Sequence, residues 1–361
     1  MPATGDLHWT PSAAFSEATE LARYMRWLDS ERGLHFADYD ALHQWSITEL
    51  GAFWESIWDF FKVESPTPRG PALVESKMPG ATWFPGAQIN YARRLIEAGA
   101  DDDIAVEHYS EVREPGALTW GQLRRQTRDL AYTLTQLGVE PGDRVAAYLP
   151  NIPEALTGLI ATTGVGALWS SCSPDFGVSS VLDRFRQIEP KVLLACDGYR
   201  YGGKDFDRRD AVRELVENLP SVEHVVSVPY LFDDPTIVPG AHATLAWDAA
   251  IAARPADAPD PLARNFPFDH PLWIVYSSGT TGLPKGMVHG HGGVLLEHLK
   301  TQALHMNHRP GSKLFFYTTT GWIMFNLLAA ALISGAGIVQ YDGNPAWPDL
   351  KALWRIVEGA R

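Results

Sequence analysis

The sequence has only two cysteines, Cys172 and Cys196, both in apolar segments and without a C-x-x-C spacing. That excludes a disulfide-stapled secreted fold and a cysteine metal site, and predicts buried thiols in a reducing, cytoplasmic compartment. Basic charge is also scarce: 30 Lys and Arg against 43 Asp and Glu leave a net charge of −13. Nucleic acid and anionic membrane surfaces are therefore disfavoured as partners, although an acidic chain can still carry a local basic pocket. The opening MPATGDLHWT lacks the basic and apolar regions of a signal peptide. One uncharged run, GWIMFNLLAAALISGAGIVQY at 321–341, reaches membrane-spanning length. Its polar Asn326, Ser334 and Gln340, and the break at Gly335 and Gly337, predict a short helix and a short buried strand instead of a span.

Several familiar nucleotide and hydrolase motifs are missing. A Walker A loop needs glycine five residues after its first glycine and then Lys-Ser/Thr, but Pro284 follows Gly279 at that distance and Lys285 precedes Gly286. The dinucleotide fingerprint fails twice, with Trp169 and Gln340 where a third glycine belongs. There is no G-x-S-x-G elbow, so the HGHGG run has no nucleophile to serve as an oxyanion loop. His289, His291, His298, His305 and His308 show no H-E-x-x-H-type ligand spacing and read as ordinary loop and helix histidines, with no metal assigned.

What is present is a change of rhythm along a chain long enough for two or three domains. Between residues 12 and 63 apolar residues recur at helical spacing, with Trp45, Phe53, Trp54, Ile57, Trp58 and Phe61 reading as packing aromatics. A Pro/Gly-rich passage, SPTPRGP and later PGATWFPG, reads as a linker. From Asp103 onward, strands alternate with amphipathic helices. Thr119 and Gln122 form a capping box, Leu123, Leu130, Leu134 and Leu137 line one helix face, and Gly138 ends that helix. The strands RVAAYLP, ALWSSC, KVLLAC and EHVVSV are nearly continuous apolar runs. The fold class predicted is α/β, with doubly wound, mostly parallel sheets flanked by helices, and a helical N-terminal extension. Ligands on such sheets gather at the carboxyl ends of the strands.

The stretch YSSGTTGLPKGMVHGHGG sits between two such strands, LWIVYSS and GMVHGH, followed by a helix, GVLLEHLKTQALHM. Ser277, Ser278, Thr280 and Thr281 bring hydroxyl donors, while Gly279 and Gly282 free the backbone to turn its N–H groups toward an anion. Lys285 adds a positive charge, and Pro284 helps fix the turn. These residue types in this order predict a polyphosphate cradle.

The run SSGTTGLPKG resembles the phosphate-binding signature of the adenylate-forming acyl-CoA synthetase superfamily. LTWGQL, GALWSSCSPDFG and TTTGWIMFN resemble further motifs of that family in the right order. YDALHQWSITELGAFWESIWDFF and WFPGAQINYA are similar to the extension of its short-chain members, and SSCSPDFG and TTTGWIMFN look most like the acetoacetate-activating branch. The resemblance implies two half-reactions: a carboxylate attacks the α-phosphate of ATP to give an acyl-adenylate and pyrophosphate, then the thiol of coenzyme A displaces AMP. It implies that residues 277–282 wrap the β- and γ-phosphates with Lys285 assisting and Mg2+ bridging. It places an acyl pocket at Trp322, Ile323 and Met324, where Met324 is either pocket or core, and a coenzyme A phosphate contact at Arg200, which is otherwise a solvated arginine. No catalytic residue is assigned within the chain.

By the same resemblance, residues 1–95 form the helical extension of short-chain acyl-CoA synthetases and 96–361 a truncated AMP-binding large domain. The adenine and ribose motifs and the lysine-bearing C-terminal domain are expected to be absent. Two readings follow: the N-terminal part of an acetoacetate-activating ligase, inactive alone, or a noncatalytic remnant or regulatory module that keeps the phosphate loop. An acetyl- or other short-chain specificity is the alternative within the first. The last strand is expected to expose its edge. Small molecules (acetoacetate, ATP, coenzyme A) are the expected partners; the oligomeric state is not fixed by the sequence.

Overall fold

The computed structural model describes residues 9–232, 243–277 and 282–360. Four helices, Ala13–Glu17, Glu20–Arg32, Tyr39–Thr48 and Leu50–Phe60, open the described chain. Thr19 caps the second, its side chain accepting from the Ala22 amide, and Gly33 ends it at φ 65°, where glycine carries no steric penalty. Tyr24, Leu28, Phe53, Ile57 and Trp58 are buried, and Trp58 stacks on Phe84 at 5.0 Å. The aromatic periodicity therefore serves packing. The Pro/Gly-rich passage is not a slack tether. Ser65 Oγ accepts from the Gln88 amide at 3.0 Å, and Arg69 pairs with Glu55 and Asp59 on the fourth helix.

Seven strands form the main sheet, in the order Ala243–Ala246, His224–Val228, Val192–Cys196, Arg144–Tyr148, Leu168–Cys172, Pro271–Ser277 and Lys285–Gly290. Every neighbouring pair is parallel except the last, where Lys285–Gly290 folds back antiparallel. The buried helix Pro153–Gly164 and the amphipathic helix Val178–Phe185 lie between successive strands in the chain, as the apolar strand runs require. The Thr119 capping box forms, starting the helix Trp120–Gln136, and Gly138 follows it at φ 76°.

A second sheet has the order Lys313–Phe315, Gly337–Asp342, Ile104–Ser110, Gly116–Thr119. The last strand is thus interior, paired on one side with Lys313–Phe315 and on the other with Ile104–Ser110. The expected exposed edge is corrected. The crossover through the helix Ile323–Ala330 returns the chain between two strands already in place, and short edge strands lie at the margins. The run 321–341 divides at Gly335 as expected, and no helix among the described residues is long and apolar enough to cross a membrane. The helix after the second sheet-one hairpin strand is α only over His291–Leu299. Lys300–His305 then widens to a π-helix, seating buried Gln302, which donates to the Leu327 carbonyl at 3.0 Å and meets His308 Nδ1 at 2.7 Å.

The two sheets are tied by amides. Gln340 Nε2, wholly buried, donates to Asn151 Oδ1 at 2.9 Å, and Asn151 Nδ2 donates to the Thr318 carbonyl at 3.3 Å. A buried amide left unpaired would cost about 1–3 kcal/mol, so this chain of hydrogen bonds fixes where the sheets meet.

Candidate active site

Ser277 ends its strand directly opposite Lys285, the first residue of the antiparallel neighbour Lys285–Gly290. Ser278, Gly279, Thr280 and Thr281 lie outside the described residues. Of the rest, Ser277 is half-buried, Gly282 is exposed at φ 131° with nothing within 4 Å of a built Cβ, and Lys285 is exposed. Among the described residues no carboxylate pairs with Lys285. The base of the hairpin is held firmly. Tyr276 donates its hydroxyl to the Arg184 carbonyl at 3.0 Å, and the Arg184 guanidinium stands over both Tyr276 and Phe176. Gln187 donates to the Pro284 carbonyl at 2.9 Å on the outgoing limb.

The TTTGW motif reaches the same edge of the sheet. Parallel pairing of Trp273 with Trp169 brings Cys172 and Tyr276 level at the carboxyl ends of neighbouring strands. Across these ends, Thr320 donates its hydroxyl to the Leu149 carbonyl at 2.6 Å and accepts on its own carbonyl from Ser171 Oγ at 2.7 Å. Gly321 packs against Phe176, leaving 2.9 Å for a Cβ. The predicted acyl residues follow at once: Trp322 is 67% and Ile323 42% exposed, and Met324 is half-buried where the helix Ile323–Ala330 begins. A tryptophan that exposed is not a core residue.

Behind this loop, where the sheets meet, lies a 300 Å³ cavity lined by Asn151, Asp175, Tyr199, Tyr201, Tyr317, Thr318, Thr319, Tyr341, Asp342 and Gly343. Asp342 closes the strand Gly337–Asp342, and Tyr230 donates to its Oδ2 at 2.8 Å. Burial, reinforced by Glu111 and Asp175, pushes its carboxyl up to about 7. The sequence reading missed Asp342. The available signal was an acidic residue at the carboxyl end of a buried apolar strand, in GIVQYD.

Arg200 sits on the hairpin Gly198–Tyr201 and Lys204–Asp207, between Tyr199 and Tyr201 of that cavity. Its guanidinium donates to Asp205 and to the Glu111 carbonyl at 3.2 Å, and the Asp205 hydrogen bond holds it firmly protonated. Glu111 accepts from the amides of Gly202, Gly203 and Asn344, locking the hairpin tip to the second sheet. Arg200 opens onto a larger, 660 Å³ cleft with Tyr109, Tyr341, Trp347 and Arg355.

The cysteines are buried, and His289, His291 and His298 hydrogen-bond within the fold. Cys172 and Cys196 are free and buried, and burial pushes the Cys172 thiol up to about 12, far from thiolate nucleophile range. His298 Nδ1 meets the Tyr91 hydroxyl at 2.8 Å, His289 Nδ1 accepts from Trp273 Nε1 at 3.0 Å, and His291 Nδ1 accepts from the Tyr91 amide. His305 is half-exposed on the π-helix. Among the described residues no group of three or more His, Cys, Asp or Glu could hold a metal ion.

Comparison with known proteins places this geometry. The family described as "AMP-binding enzyme" matches residues 97–361, and "Acetyl-coenzyme A synthetase N-terminus" matches 39–94. The chain is 41% identical over 354 residues to an acetoacetyl-coenzyme A synthetase of Rhizobium meliloti (strain 1021), covering 98% of this chain and 54% of that protein. It is 37% identical to the acetoacetyl-CoA synthetase of Danio rerio, over 97% of this chain and 53% of that one. The solved acetoacetyl-CoA synthetase of Streptomyces lividans superposes with a TM-score of 0.91 at 47% identity, covering 97% of this chain and 53% of that chain. The chain therefore spans about half the length of these relatives. With the family matched across most of its residues, the α/β sheets and the strand-end hairpin are accounted for together: this chain belongs to the AMP-binding enzyme family.

Proposed function

We propose that the protein ligates acetoacetate to coenzyme A through an acetoacetyl-adenylate, giving acetoacetyl-CoA, AMP and pyrophosphate. The observation that carries this reading is that the exposed Trp322 and Ile323 follow Thr320, which is hydrogen-bonded at the carboxyl ends of the strands Arg144–Tyr148 and Leu168–Cys172, the latter the neighbour of the strand that ends at Ser277. The similarity to acetoacetyl-CoA synthetases supports the choice of acid. Acetoacetate is ionised at pH 7, so its attack on the α-phosphate needs no general base. The chain's contribution is positioning and charge neutralisation. Backbone and hydroxyl donors of residues 277–282 hold the β- and γ-phosphates, Lys285 offsets charge on the departing pyrophosphate, and Trp322, Ile323 and Met324 enclose the acyl group. Arg200 would take the phosphate of coenzyme A by exchanging Asp205 for it.

The donor set fits Mg2+ carried by the triphosphate, with Ser277 as the described hydroxyl at that strand end, rather than a carboxylate cage. Bound there, the ion would neutralise phosphate charge. Residues 1–95 serve as the helical extension and 96–361 as the AMP-binding large domain. A cytoplasmic location accords with the two free, buried thiols.

The test is ATP–pyrophosphate exchange at full natural length with acetoacetate, acetate and butyrate. Exchange fastest with acetoacetate is expected. A preference for acetate or butyrate would reassign the acid, and no exchange with any of them would leave a binding module in place of an enzyme.

A further inference from the structure

The 300 Å³ cavity shares Tyr341 with the 660 Å³ cleft onto which Arg200 opens. Tyr199 and Tyr201, the sequence neighbours of Arg200, form one wall, and Thr318 and Thr319, just before Trp322, form another. A thin, uncharged arm anchored at Arg200 and reaching toward the acyl pocket would thread this space, and aromatic walls suit such an arm. At its inner end stands a carboxyl group that the adenylation step does not need. We propose that Asp342 is the catalytic proton acceptor for the thiol that attacks the acyl-adenylate, an inference that rests on the ligase reading above.

The geometry is specific. Asp342 lines the cavity at the carboxyl end of its strand, and one oxygen, Oδ2, is held by the Tyr230 hydroxyl at 2.8 Å. Tyr230 is itself braced by Arg113, whose guanidinium stands 4.6 Å from its ring centre and pairs with Glu154 at 2.6 Å. The groups that act on the carboxyl come from three other segments: Glu111 and Asp175 oppose its ionisation, while Tyr230 and Arg113, the latter on the same loop as Glu111, favour it. With burial added, it titrates at about 7. That lies near the operating pH, where a general base is most effective, and close enough to an ordinary thiol near 8.5 for proton transfer.

The step balances. The thiol S–H bond breaks and its proton passes to Asp342. The sulfur lone pair forms the C–S bond at the acyl carbon, and the C–O bond to AMP breaks, AMP leaving as its phosphate monoester anion. Asp342 then returns the proton to solvent.

Asp342→Asn keeps the acceptor for Tyr230 and removes the base. Measured on the protein at its full natural length, pyrophosphate exchange should stay within about twofold, because no proton is abstracted in adenylation. Thioester formation from supplied acyl-adenylate and coenzyme A should fall roughly 100-fold at pH 7, the usual contribution of a positioned base. The deficit should narrow as pH rises toward the thiol's own ionisation, and the inflection near neutrality should vanish from the rate profile. Tyr230→Phe, which keeps the carboxylate, should shift that inflection rather than remove it. Equal losses in both half-reactions, or an unchanged second half-reaction and profile in Asp342→Asn, would overturn the proposal. Absence of exchange in the parent protein, with the thioester step and its Asp342 dependence intact, would count against the ATP-dependent reading alone.

Discussion

Lys285 carries its charge without a carboxylate partner among the described residues, at the mouth of a hairpin whose base is locked by Tyr276 and Gln187. A cation held this way is available to a ligand, not spent on the fold. Lys285→Ala should therefore lower ATP-dependent exchange on the order of 100-fold. Its urea unfolding midpoint should move little, as expected of an exposed side chain. A large loss of stability would show that the lysine is structural. At this scale the sequence was most informative about residues in glycine- and hydroxyl-rich loops, because local composition alone gives the backbone its freedom and donors. It was silent about Asp342, Glu111 and Tyr230. These lie far apart in the chain, and an isolated acidic residue at a strand end carries no spacing signal.

The elements that aim the site depend on turns that admit only one residue. Gly166 links the helix Pro153–Gly164 to the strand Leu168–Cys172 at φ 81°, and a Cβ there would stand 2.3 Å from the Phe266 ring. Its carbonyl also accepts from the Gly142 amide at 2.9 Å and meets His270 Nε2 at 2.8 Å. Gly166→Ala combines backbone strain with overpacking. It should cost roughly 2–4 kcal/mol in chemical denaturation, with a smaller effect if Phe266 can rotate away. The strands and helices themselves were legible from apolar runs, the Thr119 capping box and Gly138. Pairing was not. That Gly337–Asp342 would lie beside Ile104–Ser110, more than two hundred residues earlier, follows from tertiary closure and not from any local pattern.

Across the whole molecule, acid sensitivity follows from histidines buried as neutral groups. Burial holds His291 down to about 3 and His298 down to about 4, and lowers His289 as well. Unfolded, each would titrate near 6.5, so the unfolded state takes up more protons as pH falls below that value, and the fold loses stability down toward the folded pKa values. Asp342 acts in the opposite sense. Its raised pKa lets the folded state hold the extra proton between about 4 and 7, a contribution that is lost as pH rises through that window. With several histidines lowered against one raised aspartate, the net effect is a loss of stability as pH falls from about 6 toward the histidines' folded values. Urea midpoints taken across this range should fall steadily, and His298→Gln, which can still receive the Tyr91 hydroxyl, should flatten the slope. A midpoint that does not change with pH would contradict this account.

The sequence by itself determined the fold class, the two strands that flank the glycine- and hydroxyl-rich stretch, and the family, since these rest on periodicity and on short contiguous motifs. Only the tertiary structure decided how the two sheets meet through Gln340, Asn151 and Thr318, and that the buried carboxyl of Asp342 lines the cavity beside Tyr199, Tyr201, Thr318 and Thr319. The physical reason is that burial and charge coupling are properties of neighbours in space, and the chain assigns those neighbours only once it has folded.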